Sequence, residues 1–205
     1  MRVILLLAFM IGLVGCASTP KSAGVDEAAL VDVRAKLSMG RCDQELANEI
    51  RALNNPQLEQ EAAYICLQQG QLLTVERLLG DYVTRHGNAP NVDYSVYLLA
   101  LTEFIRFELA EGDANDRLSI GRRAHEAFVS FVRRYPESAY RPEVAPRLEM
   151  LHEGMAKADY QLAIADIEAG RREVGASRLR YVVQQYPRSD AARDASRWLE
   201  QRTTP

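Results

Sequence analysis

Two stretches of this chain decide its fold. Residues 124–138 read AHEAFVSFVRRYPES, and residues 175–189 read GASRLRYVVQQYPRS. In each stretch a small residue, Ala124 or Gly175, is followed four positions later by an apolar residue, Phe128 or Leu179. A proline, Pro136 or Pro187, stands eight positions after the apolar residue. A small side chain lets two helices approach closely, the apolar one fills the space between them, and proline disfavours helical backbone in the residue before it. Each stretch therefore predicts a helix that packs closely on its neighbour and stops at the proline.

A third stretch repeats this spacing loosely, from Val75 through Leu79 to Gly87. Gly70 and Gly170 each stand five residues before the small position, where a chain reversal between two helices would use the backbone freedom of glycine. The spacing is typical of tetratricopeptide repeats. One match would arise by coincidence in any helical bundle, but three in register favour repeats. We therefore expect an all-α fold, an α-solenoid of degenerate tetratricopeptide repeats.

Composition and apolar periodicity support this fold class. Glycine and proline fall mostly between periodic segments, and the formal net charge of −3 does not suggest a nucleic-acid partner. We interpret the arginine pairs 122–123, 133–134 and 171–172 as solvated helix faces rather than phosphate sites. The first predicted helix begins at Asp26 and ends at Gly40; the others cover about 43–53, 57–69, 71–86, 91–110, 117–135, 141–169, 172–186 and 189–202, with a polar loop at 113–116.

The N-terminus predicts export and lipidation. Residues 1–15, MRVILLLAFMIGLVG, have the charged start, apolar run and small residues of a signal peptide, and the run is shorter than the roughly 20 residues that span a bilayer. Leu13-Val14-Gly15-Cys16 resembles the bacterial lipobox, whose cysteine carries diacylglycerol. We expect Cys16 to be the lipid attachment site, 16–25 a flexible leader and 26–205 the repeat domain. An ordinary signal peptide and an uncleaved anchor are the alternatives.

Two cysteines remain, Cys42 and Cys66. They are equidistant from residue 54 in a predicted hairpin that turns at Asn54-Asn55-Pro56, so they should lie side by side. In an oxidising compartment such a pair forms a disulfide. The alternative is two small buried thiols.

Motifs for catalysis or metal binding are absent from the sequence. His125-Glu126 begins like a zinc-protease helix, but Val129 stands where the second histidine is needed. The chain has neither a glycine-rich phosphate loop nor a Gly-x-Ser-x-Gly elbow. Scattered carboxylates leave paired-carboxylate chemistry open without pointing to it. We expect no enzymatic activity, no cofactor and no metal site.

Longer motifs resemble one family. They are residues 91–98 (NVDYSVYL), residues 124–140, and the segment 147–160 with RLEML and AKADY. Together with the lipobox they resemble the BamD family, the outer-membrane lipoproteins of the β-barrel assembly machine. The chain also departs from the family. Met155 and Asp159 stand where the family has leucine and glutamate, which are mild changes, and Asn54-Asn55-Pro56 replaces a longer link.

The resemblance implies a non-catalytic scaffold, an α-solenoid of about five degenerate tetratricopeptide repeats. In this family the C-terminal repeats dock on the last POTRA domain of the barrel protein BamA, and the N-terminal repeats form a pocket linked to unfolded barrel substrates. Arg178, eight residues before Tyr186, matches an arginine that pairs with an acidic residue of BamA; the alternative is a solvated helix arginine. We interpret Tyr64, a candidate for the pocket, as a core residue.

The implied partners are BamA, other assembly-machine lipoproteins, unfolded outer-membrane proteins and, through the lipid anchor, the membrane. The implied location is the periplasmic face of the outer membrane, in keeping with the neutral Ala17 after Cys16. The alternative function is that of an adaptor for another envelope process, either pilotin-like or a peptidoglycan-associated coordinator.

Overall fold

The computed structural model describes residues 27–201. The predicted signal peptide, Cys16 and the whole leader lie outside this range. Within it the chain contains helices and no strand. The helices are α1 (Glu27–Ser38), α2 (Gln44–Ala52), α3 (Pro56–Gln68), α4 (Leu72–Leu79), α5 (Tyr82–His86), α6 (Val92–Leu109), α7 (Ala114–Arg134), α8 (Val144–Glu168), α9 (Arg172–Gln185) and α10 (Asp190–Glu200), with a 3-10 turn at Arg141–Glu143.

The helices pair as hairpins that stack along the chain. The pairs are α1 with α2, α3 with α4, α6 with α7, and α8 with α9. Each hairpin packs on the next, and α10 packs on α8 and α9 as the first helix of a further hairpin would. This arrangement confirms the predicted all-α solenoid of tetratricopeptide type.

The repeat spacing has the packing role that the sequence predicts. Phe128 and Leu179 are fully buried in the C-terminal core, together with the small residue Ala124. At Gly175 a Cβ atom would lie 2.5 Å from the carbonyl oxygen of Ala163 and 2.5 Å from Cγ1 of Ile167. Since real Cβ atoms do not approach so closely, glycine is what allows α9 to lie against α8.

The predicted helix over 71–86 is wrong in one respect, because it is divided into α4 and α5. Asp81 stands at the break, with φ of −112° and ψ of 13°. Its carboxylate accepts hydrogen bonds from both terminal nitrogens of Arg51, at 2.6 and 2.8 Å, and from Nε of Arg85 at 2.9 Å. Arg85 also donates to both oxygens of the buried Glu59. Charge pairing between α2, α3 and α5 thus accompanies the interruption.

The predicted polar loop at 113–116 is also wrong, since it contains the first turn of α7. Asp113 caps this helix, and its Oδ1 accepts from the backbone N–H groups of Asn115 and Asp116 at 2.7 and 3.2 Å. Gly112, with φ of +101°, makes the reversal before it. The repeat spacing does not predict this glycine. In α4 and α9 the small position of the repeat lies in the first turn of the helix, whereas in α7 that position, Ala124, lies much further from the helix start.

Two apolar cores meet at α6. Leu98 belongs to the N-terminal core, with Leu58 and Leu78, while Phe104 and Phe107 belong to the C-terminal core. One helix therefore connects the two halves of the stack.

The sulfur atoms of Cys42 and Cys66 lie 2.15 Å apart, and their Cα atoms lie 5.4 Å apart. This geometry is that of a disulfide from the residue before the cap of α2 to the last turn of α3. We propose that the exported protein carries this bridge.

Replacing both cysteines by serine should lower the free energy of unfolding by about 3 kcal/mol, because the bridge closes a loop across α2 and α3. Denaturant unfolding of the exported wild type and of the double variant measures the difference. Adding a reductant should lower the free energy of unfolding of the wild type to that of the variant, and it should leave the value of the variant unchanged. Two free thiols in non-reducing mass spectrometry of periplasmic protein would contradict the bridge.

Candidate docking groove

An open groove of about 680 Å³ lies along α7, α8 and α9. We call it the C-terminal groove; its lining residues are Arg122, Asp159, Glu173, Val174, Ser177, Arg178 and Tyr181. Arg122 and Tyr181 also line an adjoining cavity of about 210 Å³, whose other lining residues are His125, His152, Met155, Gln185 and Tyr186. The two spaces share walls and form one continuous concave surface.

A buried carboxylate lies at the base of this groove. Asp159 is 1% exposed, and its Oδ1 accepts a hydrogen bond from Nη1 of Arg178 at 3.0 Å. Its Oδ2 accepts from the hydroxyl of Tyr186 at 3.4 Å. A second carboxylate, Oδ2 of Asp166, lies 3.8 Å from Nε of Arg178. Because an ionised carboxylate is costly to bury without partners, these contacts hold α8 and α9 in one relative position.

Arg178 thus has a role that neither sequence interpretation included. It is about one-third exposed, at 34%, and its guanidinium is already paired within the chain. The sequence alone does not indicate this pairing, because Asp159 lies on α8 and Arg178 on α9. A partner that reaches Arg178 would meet an arginine held in place by its own aspartate.

The adjoining cavity is lined by aromatic rings. The rings of His125 and His152 stack with centroids 5.1 Å apart, and the ring of Tyr186 lies 6.2 Å from those of His152 and Tyr181. Burial, followed by the nearby His152, lowers the pKa of His125, so its imidazole is neutral at pH 7. Burial and the charge of Asp159 raise the pKa of Tyr186, which keeps its phenol protonated. The side chains of His125 and Tyr186 are therefore uncharged at neutral pH.

Exposed apolar side chains complete the groove. On α9, Val174 is 52% exposed and Tyr181 is 40% exposed, although both line a concave surface. An apolar concavity that also contains charged groups is typical of an interaction site. Within residues 27–201, no three histidine, cysteine or acidic side chains are grouped so that they could hold a metal ion. The groove is suited to binding a protein surface.

Two of the sequence motifs, residues 91–98 and 124–140, contact each other outside this groove. Tyr140 stacks on Tyr94 and on Tyr97, each at a centroid distance of 4.9 Å. The hydroxyl of Ser138 donates to Oδ2 of Asp93 at 2.6 Å. These contacts attach the start of α6 to the connection between α7 and α8, so the motifs are explained by packing between hairpins.

The interpretation of Tyr64 as a core residue is wrong. Its side chain is 45% exposed, and its hydroxyl accepts a hydrogen bond from Nε2 of Gln68 at 2.8 Å. The buried face of α3 is formed instead by residues such as Ala62, Ala63 and Cys66, which lie on other sides of the helix. Tyr64 therefore belongs to the surface of the N-terminal half.

Comparison with known proteins identifies the family of this chain. The profile of a protein family described as "YfiO: Outer membrane lipoprotein" matches residues 51–203, a range that includes every residue of the C-terminal groove. None of the helices within residues 27–201 has the length and apolar character needed to cross a bilayer.

Similar curated proteins include the outer membrane protein assembly factor BamD of Neisseria gonorrhoeae. It is 28% identical over 107 residues, which cover 49% of this chain and 40% of the relative. The BamD proteins of Neisseria meningitidis serogroups A and B are similar at the same identity and coverage. The chain thus spans about two fifths of the length of the curated relatives it matches.

Replacing Arg178 by methionine should lower the free energy of unfolding by about 3 kcal/mol, because Asp159 would remain buried with only the Tyr186 hydroxyl as partner. Denaturant unfolding measures the change. Arg123→Met, on the exposed surface of α7, should stay within about 0.5 kcal/mol of wild type. Adding Asp159→Asn to Arg178→Met should recover part of the loss, since it removes the unpaired charge. Equal effects of Arg178→Met and Arg123→Met would contradict this role of the ion pair.

Proposed function

The chain belongs to the YfiO family of outer membrane lipoproteins, and we propose that it is a docking scaffold of the β-barrel assembly machine. In this role it binds the POTRA region of BamA, together with other lipoproteins of the machine, and helps outer-membrane β-barrel proteins to insert and fold. The scaffold performs no bond chemistry. The observation that supports docking most directly is the C-terminal groove, where Val174 and Tyr181 are exposed beside a fixed ion pair.

The groove favours docking because it is already formed in the free chain. The Asp159–Arg178 contact and the close approach at Gly175 fix α9 on α8 before any partner arrives. A surface that does not reorganise on binding loses less conformational freedom, so more of the contact energy contributes to affinity. Covering Val174 and Tyr181 would add apolar burial.

We further propose that Cys16 carries the lipid anchor and that residues 1–15 are removed as a signal peptide. Several acyl chains, each contributing about 0.8 kcal/mol per buried CH₂, would hold the protein at the periplasmic face of the outer membrane. The leader of residues 16–25 would then keep the first hairpin near the bilayer, within reach of a membrane-embedded barrel protein.

Unfolded outer-membrane proteins are proposed as partners of the N-terminal half. The exposed ring of Tyr64 on α3 supports this part of the proposal, because an aromatic side chain on a surface can pack against an extended apolar segment. The alternative function, an adaptor for another envelope process, would use the same solenoid without BamA.

Val174→Glu should reduce the recovery of BamA about tenfold or more when the lipoprotein is purified from cells in mild detergent, because it places a charge among the apolar contacts of the groove. Val174 is half-exposed, so the substitution should leave the thermal unfolding midpoint within a few degrees of wild type. It is a cleaner test than Arg178→Glu, which would also place a second carboxylate beside the buried Asp159.

The matched control is Val31→Glu, the same change at a residue of α1 that is 64% exposed. This variant should recover BamA as wild type does. Absence of BamA from the wild-type preparation would contradict the proposed function and favour the adaptor alternative. Equal recovery with Val174→Glu and wild type would contradict docking through the groove.

A further inference from the structure

The two arginines of the C-terminal groove differ in their ion pairs. Arg178 is paired with Asp159 at 3.0 Å and has Asp166 at 3.8 Å. Arg122, on α7, is exposed and has no carboxylate within 4 Å among residues 27–201. Arg122 is therefore the arginine of the groove that has no ion pair within the described part of the chain.

Arg122 also has the more central position. It lines both the main groove and the adjoining aromatic cavity, as does Tyr181. Its positive charge also acts on Tyr186 in the adjoining cavity. It lowers the pKa of Tyr186, although burial and the charge of Asp159 raise that pKa more strongly. A group that binds Arg122 would thus lie where the apolar and the aromatic parts of the groove meet.

The charges around this position indicate which ligand fits. His125, on the same helix, has a lowered pKa and is neutral at pH 7. The carboxylate of Asp159 is turned to Arg178 and Tyr186. Glu173, the other acidic residue of the groove, lies in the first turn of α9, where the helix dipole favours a carboxylate. Arg122 is left as the cation that lacks a counter-ion.

We infer that Arg122 is the residue of the C-terminal groove that binds a carboxylate of the docked partner, and that Arg178 is a positioning residue. The inference rests on the proposed docking of BamA. The ligand is an acidic side chain of the POTRA region, flanked by apolar residues that cover Val174 and Tyr181. A guanidinium can bind a carboxylate through two parallel N–H···O bonds, which gives direction as well as charge.

The test is the affinity of the purified full-length lipoprotein, in detergent, for the purified periplasmic domain of BamA. Arg122→Glu should weaken binding about tenfold or more, since it replaces attraction by repulsion. Arg122→Gln should weaken binding less and should flatten the decline of affinity with added salt, because the screened charge pair is gone. Thermal unfolding should be unchanged in both variants.

The matched control is Arg123→Glu. Arg123 is the next residue of α7, and its Nε lies 3.2 Å from Oε2 of Glu103 on α6, away from the groove. This variant should bind within about twofold of wild type.

Three results would overturn the inference in distinguishable ways. If the wild type does not bind the BamA domain, the inference fails together with the proposed function. If Arg122→Glu binds like wild type while Val174→Glu does not bind, docking stands and Arg122 is not the carboxylate ligand. If Arg122→Glu and Arg123→Glu weaken binding equally, the effect is one of net charge, and no specific pair exists.

Discussion

The buried carboxylate of Asp159 is the constraint on which the C-terminal half depends. A carboxylate that is only 1% exposed needs partners for its charge. Arg178 on α9 and Tyr186 at the end of that helix donate hydrogen bonds to it. The same contacts determine where the other side chains of α9 lie. Val174 and Tyr181 are exposed because the helix is held in this orientation. The groove is a consequence of the ion pair as much as of the apolar core.

Glycine determines how close the two helices come. The absence of a side chain at Gly175 allows α9 to lie against the backbone of α8, and Gly121 similarly accommodates Met155 between α7 and α8. Close approach brings a short aspartate side chain within hydrogen-bond distance of an arginine on the next helix. Packing by small residues and pairing of charges therefore support each other.

Much of the fold could be predicted from the sequence because its determinants are local. The helical period, the turn glycines at 70 and 170 and the stops at Pro136 and Pro187 all act within a few residues. The motifs also predicted the family, which the comparison confirms. The break at Asp81 could not be predicted, because it accompanies ion pairs with Arg51 and Arg85, and Arg85 also holds Glu59 on another helix.

The groove was predicted only in part, for the same reason. Arg178 was identified through a family motif, but its pairing with Asp159 depends on tertiary structure. Arg122 was interpreted as part of a solvated face, and only the structure shows that it borders the groove. The exposure of Tyr64 could not be predicted, because it depends on which face of α3 packs against the neighbouring helices.

Site-specific photo-crosslinking in living cells, with a photoreactive residue placed at Ser177, tests docking through the groove most directly, because Ser177 is an exposed position of the groove. If BamA docks there, a covalent adduct with its periplasmic region forms from position 177 and none forms from position 31 on α1. An adduct from position 31 without one from position 177 would contradict docking through the groove.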